Sequence, residues 1–167
     1  TFRILQSSPT LFFPEINDER FRAWAVEFAS ALMGRPLEFW YDQFLAKPPG
    51  TSVPTRWHQD EGYWGRNLEE RGITCWMPMH DVDEANGCIM VVPGSHTWPL
   101  LCLTAADTEK SFTDVTVPLP DGVTAVPVIM KAGDVLFFNG QIVHGSEPNT
   151  TKDRFRRSLI GHYIAGE

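Results

Sequence analysis

Three residues, two of them neighbours in the chain and one far downstream, have the chemistry to hold one divalent metal ion. His58 and Asp60 lie in the run Trp57-His58-Gln59-Asp60. Side chains alternate faces along an extended backbone, so His58 and Asp60 are expected to project to one side, with Gln59 turned away. A neutral imidazole and a carboxylate two residues apart can grip one ion. A third donor, His144, stands in Gln141-Ile142-Val143-His144-Gly145-Ser146. Two histidines and one carboxylate on one face, with coordination positions left open, form the facial triad that binds non-haem Fe(II). The remaining histidines, His80, His96 and His162, have no comparable setting and read as structural.

The chain that must position these donors has 167 residues, enough for one domain with a real core. Hydrophobic residues make up 43% and charged residues 21%, the balance of a soluble globular protein. Six Trp and eleven Phe suit an aromatic-lined interior or pocket. A net charge of −7 argues against nucleic acid or an anionic membrane as the main partner and leaves a small-molecule substrate. Cys75, Cys88 and Cys102 form no metal-type spacing, and so sparse and odd a set fits a reducing, cytoplasmic compartment. No apolar run approaches the roughly 20 residues of a transmembrane helix, and no signal peptide is visible. The chain starts at Thr1 rather than at a methionine, which leaves a further N-terminal portion open.

The local pattern then supplies the elements. Residues 17 to 33 read as a helix capped by Asn17, with Phe21, Trp24, Phe28 and Leu32 as its core-facing stripe and Gly34 as its stop. Everything after Gly34 reads as strands: residues 37–46, 72–80, 88–92, 126–130, 134–138, 142–145 and 156–164. Lys131-Ala132-Gly133 looks like a tight turn between two of them. Many short strands separated by turn signals suggest a sandwich or barrel. Residues 100 to 127 lack clear periodicity and read as a long excursion of the kind that often serves as a lid.

Taken in order, several stretches carry a specific resemblance. They are Lys47-Pro48-Pro49, Trp57-His58-Gln59-Asp60, Trp76, Asn86-Gly87-Cys88, Pro93-Gly94-Ser95-His96, Gly133-Asp134, His144-Gly145-Ser146 and the basic run before Ser158. In this register, from about Gln43 to Tyr163, the chain resembles the phytanoyl-CoA dioxygenase family of Fe(II)/2-oxoglutarate oxygenases. The resemblance implies a mainly β fold, a double-stranded β-helix (jelly-roll, cupin-like) with helices on its outer face. It implies one oxygenase domain over residues 1–167, in a family whose members usually carry a longer N-terminal part. It also implies His58, Asp60 and His144 as catalytic iron ligands, with Fe(II), 2-oxoglutarate and O2 as the cofactor and cosubstrates.

Charge balance supports the second component. Fe(II) held by two neutral histidines and one aspartate keeps a net positive charge, and 2-oxoglutarate can chelate it through one carboxylate and the keto oxygen. The far carboxylate then needs a cation, and the planar fork of arginine pairs with it in bidentate fashion. Arg156 and Ser158 share one strand face and resemble the cosubstrate anchor of such oxygenases, whereas Arg157 points the other way. Arg154 shares the parity of Arg156 but lies nearer the loop, and is the runner-up. By the same resemblance Gln43, Thr74 and Trp76 line the cosubstrate pocket, and Gln59 reaches it from between the two ligands. Tyr63 and Trp64, directly after the metal motif, either cover the substrate or form a local aromatic cluster.

The expected activity is hydroxylation of a small organic molecule, coupled to oxidative decarboxylation of 2-oxoglutarate to succinate. Desaturation, ring formation and epimerisation by the same machinery stay open. Halogenation is disfavoured, because Asp60 fills the position that related halogenases leave for chloride. Two rivals come from other classes. One is a non-catalytic jelly-roll that binds a small molecule or partner. The other is a metal-dependent cupin-like enzyme without 2-oxoglutarate, which would leave Arg156 and Ser158 without a purpose.

Overall fold

A computed structural model of the chain describes residues 4–50, 53–64, 72–107, 109, 111, 113 and 115–166. Breakers such as Pro48-Pro49-Gly50 and Pro93-Gly94 cut the chain into short elements. In chain order these are β1 (Ile4–Ser7), α1 (Pro9–Phe12), α2 (Glu19–Met33), β2 (Glu38–Lys47), β3 (Thr55–His58), α3 (Asp60–Trp64) and β4 (Ile73–Pro78). They continue with β5 (Ile89–Val91), β6 (Thr104–Ala105), β7 (Val115–Thr116), β8 (Val126–Val128), β9 (Leu136–Asn139), β10 (His144–Ser146) and β11 (Arg156–Ile164). The strands form a five-stranded sheet in the order β1-β2-β11-β4-β9, a four-stranded sheet in the order β3-β10-β5-β8, and the small β6-β7 hairpin. All pairings are antiparallel. This is the jelly-roll that the sequence motifs imply.

Period-two alternation sorts the larger sheet's side chains between two layers. On β4, Thr74 and Trp76 turn inward, while Ile73 and Cys75 turn outward. Trp76, Phe138 and Ile160 from the larger sheet pack with Cys88, Ile89, Val91 and Val128 from the smaller one, so the core lies between the sheets. On the outer face, Ile73, Cys75 and Tyr163 receive α2.

The helix differs from its sequence reading in two respects. Its cap is Asp18, whose carboxylate accepts from the backbone N–H of Arg20 and Phe21, both at 3.0 Å. The surface seated on the sheet centres on Ala25 and Ala29, both fully buried, whereas Trp24, Phe28 and Leu32 stay about half exposed. Small alanines let the helix axis approach the sheet, and the aromatic rings spread along one flank. Trp24 stacks on Phe28 at 5.4 Å, and Phe28 reaches Phe137 of β9 at 4.9 Å.

The 100–127 excursion is more built than its sequence suggests. It contributes β6 and β7, and its Leu101, Leu103, Val117, Leu119 and Val123 pack with Trp57, Val92 and Val143. The Lys131-Ala132-Gly133 turn is present, with Gly133 in the left-handed region at φ +90°. The Asp134 carboxylate closes it by accepting from the Lys131 N–H at 2.7 Å.

Candidate functional site

His58 ends β3 and His144 begins β10, and the two strands are paired so that these residues stand directly opposite one another. Their rings lie 4.1 Å apart between centroids. Each ring is fixed in the same way. Nδ1 of His58 donates to the carbonyl of Arg56 at 2.7 Å, and Nδ1 of His144 donates to that of Ile142 at 3.1 Å. A carbonyl can only accept, so both protons sit on Nδ1 and both Nε2 lone pairs stay free.

Asp60 arrives by a different route from the one its spacing suggests. The extended backbone stops at His58, and Asp60 opens α3 instead of continuing the strand. The turn still brings its Oδ1 to 3.5 Å from His58 Nε2 and 3.7 Å from His144 Nε2. One donor atom from each of the three residues lies within 4.8 Å of the others, and all three residues are buried. Oδ2 is engaged elsewhere: Thr74 Oγ1 donates to it at 2.5 Å.

Protonation suits metal binding. Burial pushes the His144 pKa down to about 4, and the neighbouring His58 adds to this against the pull of Asp60. Burial works against ionising Asp60, but the adjoining His144 and His58 outweigh it and hold the carboxyl below the ordinary range. Near neutral pH the pair therefore offers a neutral imidazole and a carboxylate. Two free imidazole nitrogens and one carboxylate oxygen, converging from one side, fit a divalent iron ion with positions open to other ligands.

A cavity of about 270 Å³ runs from the triad toward Arg156. Gln43, Thr74, Trp76, Tyr63 and Trp64 all line it. Arg156 is 2% exposed, and its guanidinium lies 5.7 Å from the Trp76 ring. Nε donates to Gly87 O at 3.1 Å, Nη1 to Ser158 Oγ at 3.1 Å and Nη2 to Ser146 Oγ at 3.2 Å. Burial lowers the Arg156 pKa to about 10, which still leaves it charged at neutral pH. Ser158 is not among the cavity-lining residues. It accepts from Arg156 and donates to Leu45 O at 3.3 Å, so it holds the guanidinium from behind. The two other candidate arginines are spent elsewhere: Arg154 pairs with Asp83 at 2.8 and 3.0 Å near the surface, and Arg157 reaches His80 at 2.9 Å.

Gln59 departs from its sequence reading. It is buried, yet its amide turns away from the cavity and braces the start of the long excursion. Nε2 donates to Gln141 O at 2.8 Å and Pro99 O at 3.3 Å, and Oε1 accepts from the Leu101 N–H at 2.8 Å. Trp64 belongs to an aromatic group with Trp40 and His162, and donates to Tyr41 Oη at 3.2 Å. Tyr63, about half exposed, stands edge-on to His58 at 5.5 Å.

His162 and Ser146 are among the cavity-lining residues that escaped the sequence reading. His162 lines the cavity between Thr74 Oγ1 and Gln43 Oε1, each at 3.2 Å, and stacks on Tyr41 at 4.4 Å. Ser146 lines it beside Arg156. The signal was available for both: His162 shares the parity of Arg156 on one strand, and Ser146 that of His144.

The fold and this centre define a jelly-roll domain built to hold a non-haem metal beside a buried arginine. The chain belongs to the phytanoyl-CoA dioxygenase (PhyH) family, whose model matches residues 9–158. It is 28% identical over 158 residues to the peroxisomal phytanoyl-CoA dioxygenase of Rattus norvegicus, covering 88% of this chain and 46% of that protein. It spans about half the length of the curated relatives it matches. Among solved structures it is similar to EvdO2 from Micromonospora carbonacea var. aurantiaca complexed with 2-oxoglutarate. That match has a TM-score of 0.85 and 27% identity, covering 99% of this chain and 68% of EvdO2. It is also similar to the non-haem alpha-ketoglutarate-dependent epimerase SnoN from nogalamycin biosynthesis. There the TM-score is 0.73 and the identity 25%, covering 97% of this chain and 62% of SnoN.

Proposed function

We propose that this domain is the catalytic unit of an Fe(II)/2-oxoglutarate-dependent dioxygenase that hydroxylates a small organic metabolite. The observation that carries the reading is the single cavity joining the His58-Asp60-His144 centre to a buried Arg156. No carboxylate among the described residues forms an ion pair with that arginine. Overall, substrate, O2 and 2-oxoglutarate become hydroxylated product, succinate and CO2.

His58, Asp60 and His144 hold the iron, which when bound supplies the activation of O2 and the oxidation of substrate. Arg156 binds the far carboxylate of 2-oxoglutarate, and Trp76 and Gln43 flank it. Ser158 keeps the guanidinium aimed into the cavity. Thr74 occupies Asp60 Oδ2, so that Oδ1 alone faces the two imidazoles. Phe138 and Ile160 give the cavity apolar walls that keep water from the reacting centre. Tyr63, beside His58, is placed to meet the substrate.

The acidic balance of the chain supports a free metabolite rather than a heavily phosphorylated one. Among the described residues, no helix is long and apolar enough to cross a membrane. The three free cysteines support a reducing compartment, the cytoplasm. The likeness to SnoN favours epimerisation as a second outcome of the same machinery. The test is aerobic incubation with Fe(II) and 2-oxoglutarate. Succinate should form with the intact protein and not with Arg156→Ala or Asp60→Ala. Without succinate the oxygenase reading falls and a binding module replaces it.

A further inference from the structure

Arg156 is not the only buried cation here. Lys47 stands directly opposite it on the adjoining strand β2, and its side chain is fully buried. Its ammonium reaches three oxygens: Ser146 Oγ at 2.7 Å, Glu147 O at 2.8 Å and Ser146 O at 3.0 Å. Two cations side by side in the interior are costly unless an anion joins them. Among the described residues neither forms an ion pair with a carboxylate.

The shared neighbour is the Ser146 hydroxyl. It has two lone pairs and one proton. With Lys47 as an ammonium, its Nζ occupies one lone pair and Arg156 Nη2 the other, since both groups then only donate. The proton is left over, and Ser146 lines the cavity. Ser158 makes the contrast: its proton is used on Leu45 O. Building on the function proposed above, we infer that Lys47 is a positioning residue for the cosubstrate. It turns the Ser146 hydroxyl into an obligate donor aimed at the distal carboxylate and adds a second positive charge behind Arg156.

The surrounding backbone is fitted to this arrangement. Gly87 has φ +83°, and a Cβ there would lie 2.6 Å from Glu147 O and 3.4 Å from Lys47 Cδ. Its carbonyl is the acceptor for Arg156 Nε. Lys47-Pro48, Asn86-Gly87, His144-Gly145-Ser146 and Arg156-Arg157-Ser158 thus meet at one point. Burial first, and then Arg156, pull the Lys47 ammonium well below the usual lysine range. A carboxylate at the Ser146 hydroxyl opposes that pull, so cosubstrate and ammonium stabilise each other.

The test compares two ligands by calorimetry on Fe(II)-loaded protein without oxygen. Pyruvate has the same chelating end as 2-oxoglutarate but lacks the distal carboxylate. Lys47→Met should weaken 2-oxoglutarate by at least about tenfold and leave pyruvate nearly unchanged. Equal weakening of both ligands, or of neither, overturns the inference, because a merely structural lysine would not discriminate between them. If Lys47→Met does not fold, Lys47→Gln, which keeps a donor for the carbonyls, is read by the same ratio. Combining Lys47→Met with Ser146→Ala should cost less than the product of the single losses; multiplying losses would show that Lys47 does not act through Ser146. A wild-type protein that binds 2-oxoglutarate no better than pyruvate overturns the proposed function itself, and this inference with it.

Discussion

Thr74 Oγ1 lies 2.5 Å from Asp60 Oδ2, while Asp60 Oδ1 faces the two histidines at 3.5 and 3.7 Å. One carboxylate thus has its two oxygens assigned to different tasks. Thr74→Val keeps the shape and removes the hydroxyl. It should lower iron affinity by about 10–100-fold, the usual effect of losing a partner that orients a ligand. Thr74→Ser should recover most of it. Competition with a chelator measures both, and unchanged affinity in Thr74→Val would remove Thr74 from the site's design.

The triad itself makes a plainer demand. His58→Ala, Asp60→Ala and His144→Ala should each abolish iron binding and turnover while leaving the far-UV circular dichroism spectrum intact. The core packs between the sheets through other residues. Normal iron affinity in all three variants would sink the assignment.

Arg156 and the metal ligands should separate experimentally. Arg156→Ala leaves the far carboxylate unpaired in a buried pocket, at a cost of about 2–5 kcal/mol. That is a loss of roughly thirty-fold to several thousand-fold in 2-oxoglutarate affinity, with iron affinity nearly unchanged. Arg156→Lys should recover only part, because a point charge cannot reproduce the fork. Arg154→Ala and Arg157→Ala should each change 2-oxoglutarate affinity by less than about tenfold, since neither lines the cavity. A severe Arg154→Ala beside a mild Arg156→Ala would contradict the strand register.

The cysteines should react unequally. Burial pushes the Cys75 thiol up to about 12 and also raises Cys88, whereas Cys102 is exposed. At pH 8 a thiol with that pKa is ionised in on the order of one molecule in ten thousand. Iodoacetamide followed by peptide mass spectrometry should therefore find Cys102 labelled first in the folded protein. Equal labelling of Cys75 under native conditions would contradict the packing of α2 on the outer face.

The features legible in the sequence were those governed by local periodicity. The strand from Arg156 to Ile164 has the bounds its pattern predicts, so Arg156 and Ser158 share a buried face while Arg157 does not. The metal donors were legible by residue type, although Asp60 reaches the centre from a helix start and not from an extended strand. Periodicity failed on α2 because an apolar stripe does not say which of its edges touches the sheet, and the small alanines beside it won that contact. Gln59 failed for another reason. Its partners, Pro99, Leu101 and Gln141, are 40 to 82 positions away, and no local pattern encodes such contacts. Lys47 was recognised only as part of a motif, since its role depends on Ser146, 99 positions downstream.

The two imidazoles stand on β3 and β10 of the smaller sheet, and Arg156 stands on β11, the middle strand of the larger one. A chelated cosubstrate that also reaches Arg156 would therefore act as a tie bar across the sandwich, anchored at one end by iron and at the other by the guanidinium. Loading the site would brace the two walls against splaying, and release of the cosubstrate would remove the brace. The domain's resistance to opening and its readiness for turnover would then rise and fall together.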